Sequence, residues 1–224
     1  MGEEAAYHAL FERPDALPGV PAGAPTLEGF LFPSTYDFTR PLAERDVAAR
    51  LVREFRRRLP PGYEEAARRR GLSLLEAVTL ASIVEKETGV AEERPRIASV
   101  FHNRLKKRMR LQSDPTIIYG IFGGSGMRDH PITQEELERP NPYNTYKIDG
   151  LPPTPIGNPG RASIEAVLKP AKTKDLYFVA DGTGGHIFAA SLAEHNSNVV
   201  KWRKIEREIR ARQKAEAEAA ARAR

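Results

Sequence analysis

Leu75-Glu76-Ala77-Val78-Thr79-Leu80-Ala81-Ser82-Ile83-Val84-Glu85-Lys86-Glu87-Thr88 is apolar over most of its length and ends in carboxylates. Its length and composition predict a helix. Ser73 stands where it can cap that helix, and Glu76, three residues on, completes a capping box. Counted back from Glu87, Val84, Ile83 and Leu80 fall at i−3, i−4 and i−7, on one helical face. Glu87 therefore occupies a position where the core pattern calls for Leu. A carboxylate among apolar neighbours is disfavoured in its charged form, so its pKa rises. A carboxyl that keeps its proton near neutral pH suits general-acid chemistry. Glu85 lies about 200° away around the helix, on a weaker stripe with Val78, Ala81 and Ser82. A helix-end Glu that reaches water or pairs with an Arg accounts for the same pattern.

Outward from this helix the periodicity supplies a predominantly helical chain. Ala43–Leu59 is amphipathic through Val47, Leu51, Val52 and Phe55, and Pro60-Pro61-Gly62 stops it. Tyr63–Arg70 is a short helix closed by Gly71. Glu92–Lys107 turns Ile97, Val100, Phe101 and Leu105 inward. Pro115–Phe122 reads as a short buried helix, 123–131 as a loop, and Thr133–Leu137 as one capped turn. Ala162–Leu168 is helical, and a long helix runs from Leu192 to the C-terminus. Asp175–Ala180 and His186–Ala189 flank Asp181-Gly182-Thr183-Gly184-Gly185, a hairpin signal. The N-terminal 26 residues are irregular and rich in Pro, Gly and Ala, apart from a helical stretch near Ala5–Phe11. Glu28–Pro33 forms a short strand or a packed loop. The fold class expected is α+β: mostly helical, with one small β-hairpin, long functional loops and a long C-terminal helix. Residues 139–161 form a loop whose aromatic and apolar content argues against disorder.

Composition removes several functions. The 224 residues include no cysteine, which excludes disulfides, thiolate nucleophiles and Cys-based metal sites. No run is long and apolar enough to span a bilayer. The net charge is +5, and residues 201–224 alone carry nine Lys or Arg against four Glu. The body of the chain is thus neutral overall, which argues against a nucleic-acid partner. No G-x-S-x-G, H-E-x-x-H or Walker-type loop occurs, and His8, His102, His130, His186 and His195 lack metal-ligand spacing. No metal or cofactor is expected. Met1-Gly2-Glu3-Glu4 reads as an arbitrary beginning, so a preceding part is expected to be missing.

Four polar clusters remain. The first is Glu85-Lys86-Glu87-Thr88. In Arg110-Leu111-Gln112-Ser113-Asp114-Pro115-Thr116, Asp114 before Pro115 fits a helix N-cap, with Gln112 and Ser113 leading into it. Tyr143-Asn144-Thr145-Tyr146, Gly150-Leu151-Pro152-Pro153 and Ile156-Gly157-Asn158-Pro159-Gly160 combine flat aromatic faces with amides. Such loops suit sugar rings, or are rigid loops pinned by their own Asn turns. In Gly184-Gly185-His186, a lone His in a hairpin reads as structural.

Six strings resemble those of the YceG-like (MltG) endolytic murein transglycosylases. They are 81–88, Ala98-Ser99-Val100-Phe101-His102-Asn103-Arg104-Leu105, Leu111–Gly120, Tyr143–Tyr146, Gly150–Pro153 and Leu176-Tyr177-Phe178-Val179-Ala180-Asp181-Gly182. The resemblance runs in order from about Leu27 to Trp202. It implies a catalytic domain at 27–203, which leaves the irregular lead-in at 1–26 and, from its composition, a charged Ala-rich helical tail at 204–224. It implies a lyase that cleaves MurNAc–GlcNAc linkages in nascent peptidoglycan strands, closing the 6-hydroxyl onto C1 to leave an anhydro end and terminating strand elongation. The family's catalytic acid falls on Glu87, acting first as acid and then as base. Gln112, Asn144 and Tyr146 are then the expected sugar contacts, with Glu28, Asp114, Tyr119 and Asn158 as supports. The family is anchored in the inner membrane by one N-terminal helix, with its catalytic part outside the cytoplasm. Peptidoglycan synthases of the penicillin-binding class are its expected partners. Residues 1–224 by themselves are expected to be soluble. The competing reading is a non-catalytic peptidoglycan-binding or synthase-docking module.

Overall fold

The computed structural model describes residue 11 and residues 17–39, 43–126 and 130–222. The expected helix near Ala5 lies outside the described residues except for Phe11, as does 127–129 of the loop after Phe122. The elements are α1 (Glu44–Arg58), α2 (Tyr63–Arg69), α3 (Leu74–Glu87), α4 (Arg94–Lys106), α5 (Asp114–Phe122), α6 (Gln134–Glu138) and α7 (Arg161–Leu168), then β1 (Tyr177–Ala180), β2 (His186–Ala189) and α8 (Leu192–Arg222). The α+β class expected from the periodicity is the one observed. Short 3-10 turns at Ala91–Glu93 and Gly123–Ser125 lead into α4 and extend α5.

Helix α3 is the axis of the domain. It packs against α7, α4, α2 and α5. Every residue from Ala77 to Val84 is buried, so both of its stripes face protein. That full burial explains why the segment is so uniformly apolar. Ser73 accepts from the Glu76 amide, and Glu76 accepts from the Ser73 amide, forming the expected capping box. Thr133 and Glu136 build the same box on α6. Phe30 and Phe55 meet edge-on, with ring centres 5.3 Å apart, and seat the Glu28–Pro33 segment as a packed loop on α1. Leu17 and Leu27 join Val52 in a second cluster beneath it, so the described part of the lead-in is irregular yet packed.

β1 and β2 form an antiparallel pair in the register Tyr177↔Ala189 to Ala180↔His186. Asp181 Oδ1 accepts from the Thr183 and Gly185 amides and holds the five-residue turn. The hairpin rests on α8 and against α4. Helix α8 runs unbroken through position 204, and Val200 on it is 67% exposed. No helix among the described residues is long and apolar enough to cross a membrane.

The segment from Arg139 to Gly160 has no helix or strand, but its own side chains tie it down. Asn144 Nδ2 donates to the Leu137 and Arg139 carbonyls, and its Oδ1 accepts from the Tyr146 amide. Tyr143 Oη bonds Thr154 Oγ1 at 2.7 Å, and the Ile156 amide donates to Ser82 Oγ on α3 at 2.9 Å.

Candidate active site

Glu87 closes the last turn of α3 and faces a cleft of about 540 Å3. The residue is half-buried: it borders the cleft, while the surrounding protein desolvates its carboxyl. Burial pushes its pKa up to about 7, and the nearby Asp114 charge adds to the rise. The Ser113 hydroxyl, donating to Oε1 at 2.5 Å, and the Arg104 guanidinium oppose it. Desolvation wins because a single neutral donor and a guanidinium already engaged elsewhere do not replace lost water.

Ser113 is held for this contact by the loop beyond it. Its amide donates to Thr145 Oγ1 at 2.9 Å, and the Gln112 amide donates to the Thr145 carbonyl at 3.1 Å. Gln112 adopts φ +50°, a left-handed conformation unusual for a side-chain-bearing residue. Such a conformation persists only where the surroundings enforce it.

Arg104 supplies much of that enforcement. It is 7% exposed, on a helix whose other buried residues are apolar except for Ser99. Its Nη1 donates to the Arg110 and Leu111 carbonyls and to Gln112 Oε1, and its Nε donates to the Leu176 carbonyl at 2.6 Å. The guanidinium also lies 5.1 Å from the centre of the Tyr177 ring. One cation thus fixes the strap before α5 and the start of the hairpin together.

The N-cap of α5 is Ser113, and Asp114 is the first helical residue. The cap expected of Asp114 is therefore shifted by one residue, and neither side chain caps. Ser113 turns to Glu87, while Asp114 accepts from Tyr146 Oη at 2.7 Å. Burial raises the Tyr146 phenol well above its usual range, with Asp114 adding to it.

Of the residues singled out in the sequence, Glu87, Gln112, Asp114 and Tyr146 come together around this cleft. Asn144 does not line it: it is buried and spent on the loop, where it seats the Tyr146 backbone. Glu28, Tyr119 and Asn158 lie in a separate cluster. Asn158 Oδ1 accepts from the Gly29 and Leu31 amides, and its Nδ2 reaches Glu28 Oε1 at 3.4 Å. Burial raises the Glu28 pKa, with Lys86 opposing. Burial, then Glu28 and Tyr143, push Tyr119 up to about 12. Glu85 points elsewhere too, accepting from Ser163 Oγ at 2.5 Å and the Gly160 amide at 3.2 Å at the start of α7.

The opposite wall comes from the hairpin and α8: Tyr177, His186, His195 and Asn196. Of this wall the sequence singles out only His186, and as structural; it assigns no site role to Tyr177, His195 or Asn196. His195 stacks on Tyr177, with ring centres 5.0 Å apart and planes at 21°. Its Nδ1 is buried without a partner among the described residues, and burial, then Arg104, lower its pKa. A second cavity of about 330 Å3 also borders Glu87, lined by Gly89, Gly184 and Trp202. The two cavities share Glu87, Ala180 and His186 as a common border. Among the described residues no three His, Asp or Glu side chains group as metal ligands.

Comparison with known proteins gives one consistent result. The model of the YceG-like family matches residues 3–201. A Bacillus subtilis (strain 168) protein named endolytic murein transglycosylase is 40% identical over 177 residues, covering 79% of this chain and 48% of that protein. A Streptococcus pneumoniae (strain D39) protein of the same name is 35% identical over 202 residues, covering 88% of this chain and 36% of that protein. The chain therefore spans about half the length, or less, of these relatives. A crystal structure of a yceG-like protein from Listeria monocytogenes superposes with a TM-score of 0.69 at 36% identity, over 88% of this chain and 61% of that one.

Proposed function

We propose that this chain, which belongs to the YceG-like family, carries the catalytic unit of a lytic transglycosylase acting on peptidoglycan strands. Residues 27–203 are that unit and 204–224 its tail. The observation that carries the reading is Glu87: a carboxyl whose pKa is raised to about 7, standing where two open cavities meet.

Such an acid is half protonated near neutral pH, so the form that donates and the form that accepts are both accessible. Protonated Glu87 gives its proton to the glycosidic oxygen as the bond to C1 breaks through an oxocarbenium-like state. The carboxylate left behind takes the proton of the muramoyl 6-hydroxyl as that oxygen closes onto C1. Bonds and protons balance with no water consumed, and one carboxyl serves both steps, where ordinary glycosidases need two. The proposed base is oriented by Ser113, and its environment is set by Asp114 and Arg104. Gln112 and Tyr146 border the cleft as candidate sugar contacts. Asn144, Glu28 and Asn158 support the surrounding loops through hydrogen bonds, and Tyr119 by packing its ring on Tyr143.

Glu87 borders two adjoining cavities rather than one closed pocket, which supports cleavage within a strand rather than at its end. By family membership, the whole protein is proposed to act at the outer face of the inner membrane, alongside peptidoglycan synthases.

The test is mass spectrometry of uncrosslinked glycan strands after incubation with the protein and with Glu87→Gln. Internal fragments with anhydro-muramoyl ends are expected, and none from the variant. Reducing ends would make water the acceptor and the protein a hydrolase. Unchanged anhydro-end formation by the variant would remove Glu87 from the chemistry. Strands bound but left intact would instead favour a wall-binding module.

A further inference from the structure

Thr88, which follows the proposed acid, donates from Oγ1 to Glu93 Oε2 over 3.3 Å. The same Glu93 receives two donors from one residue of the hairpin. Its Oε1 accepts from the His186 amide at 2.8 Å, and its Oε2 pairs with His186 Nδ1 at 2.7 Å. An ionised carboxylate has no hydrogen to give, so Nδ1 is the donor of that pair. The backbone bond fixes where the ring is, and the side-chain bond fixes its tautomer. In the neutral ring Nε2 is then a lone-pair acceptor.

His186 borders both cavities that meet at Glu87. Among the described residues nothing hydrogen-bonds its Nε2. Phe178 holds the ring edge-on at 5.2 Å between centres. The turn is shaped around the carboxylates: a Cβ on Gly185 would lie 3.0 Å from Glu93 Oε1 and 3.1 Å from Asp181 Oδ2. Contacts that close are rarely tolerated, so Gly185 keeps the approach open.

We propose that His186 is a substrate-contacting residue beside Glu87, its Nε2 accepting a hydrogen bond from a sugar hydroxyl of the bound strand, with Glu93 as the positioning residue that sets the tautomer. The assignment rests on the glycan reading of the cleft. With the ring in its neutral form, the site gains an acceptor next to the proposed acid, so a hydroxyl is gripped without adding a second negative charge near Glu87. A carboxylate at the same place would raise the Glu87 pKa and hold it too tightly protonated to act as base.

Glu93→Gln tests this directly. The His186 amide can only donate, so the amide oxygen of Gln must face it, leaving the NH2 group to face Nδ1. The ring must then accept at Nδ1 and carry its proton on Nε2, which turns the acceptor in the cleft into a donor. The measurements are imidazole 15N shifts of His186 and strand-cleavage kinetics. The shifts are read in the unsubstituted protein, in Glu93→Gln, and in Glu87→Gln with and without a GlcNAc–MurNAc tetrasaccharide. We expect the Nδ1–H tautomer in the first protein and its inversion in Glu93→Gln. We expect the Nε2 signal to move when the tetrasaccharide binds. For Glu93→Gln we expect kcat/KM to fall about ten-fold, mostly through KM, the size of one neutral hydrogen bond. Tetrasaccharide binding and strand cleavage with a stationary Nε2 signal and unchanged kcat/KM in Glu93→Gln would overturn the assignment while leaving the functional reading intact. A protein that neither binds the tetrasaccharide nor cleaves strands would overturn both.

Discussion

Ser113 Oγ donates to Glu87 Oε1 at 2.5 Å, joining the N-cap of α5 to the last turn of α3. Ser113 lowers the Glu87 pKa and Asp114, one residue on, raises it, so adjacent side chains act on one carboxyl in opposite directions. Ser113→Ala should move the alkaline limb of the pH–kcat/KM profile upward by roughly half to one unit, the equivalent of a hydrogen bond of about 1 kcal/mol. Asp114→Asn should move it downward. A pH–rate series on both variants checks the pair, and shifts of the same sign would refute this electrostatic account.

Glu87→Gln should stabilise the fold in a pH-dependent way. The carboxyl titrates near 4.5 when unperturbed and at about 7 in the folded chain. Between those values the folded state holds a proton that the unfolded state has lost, so stability falls as pH rises through this window. Gln carries no such cost, and its oxygen still accepts from Ser113. The variant should match the parent near pH 4 and exceed it by up to about 3 kcal/mol near pH 8. Denaturant titrations at the two pH values measure this directly.

Glu85→Gln should weaken the protein without removing its chemistry. The carboxylate accepts from Ser163 Oγ and the Gly160 amide and stands 3.9 Å from Arg94 Nη2. Gln keeps one acceptor and loses the charge, at a cost of about 1–2 kcal/mol. Thermal unfolding should register the loss, while strand cleavage below the transition stays within a few-fold. Abolished cleavage in a folded variant would reassign the acid.

Much of this was readable in advance, because Glu87 interrupts a helical period of apolar residues and the capping boxes at Ser73 and Thr133 are local patterns. Arg104 interrupts the inward stripe of α4 in the same way, but the carbonyls it serves include one as far along the chain as Leu176. Nothing in a sequence says where a guanidinium will find its acceptors. Asp114 shows how little separates two roles: a cap displaced by one residue turns a structural carboxylate toward the cleft. Asn144 shows the reverse, since its amide suits a sugar yet is consumed by the Leu137 and Arg139 carbonyls. Glu93 and His186 meet across 93 positions, a separation at which periodicity is silent.

Gly29→Ala should be among the most damaging single-methyl additions in this chain. Gly29 adopts φ +89°, and a Cβ there would lie 2.5 Å from Pro155 Cγ and 2.6 Å from Pro155 Cβ. Left-handed strain and a clash with a rigid ring add, giving about 2–4 kcal/mol of destabilisation. Chemical denaturation would show it, and a cost under about 0.5 kcal/mol would mean that this loop shifts freely.

The Arg139–Gly160 segment, stitched down by Asn144, Thr145 and Tyr143, has a consequence for how a strand is met. Its conformational entropy is surrendered when the chain folds, so under the proposed function an arriving glycan would find Tyr146 already in place and bear little of the ordering cost. Preorganisation of this kind favours fast capture of a ligand, and under the proposed function loosening Asn144 would first slow association rather than bond breaking.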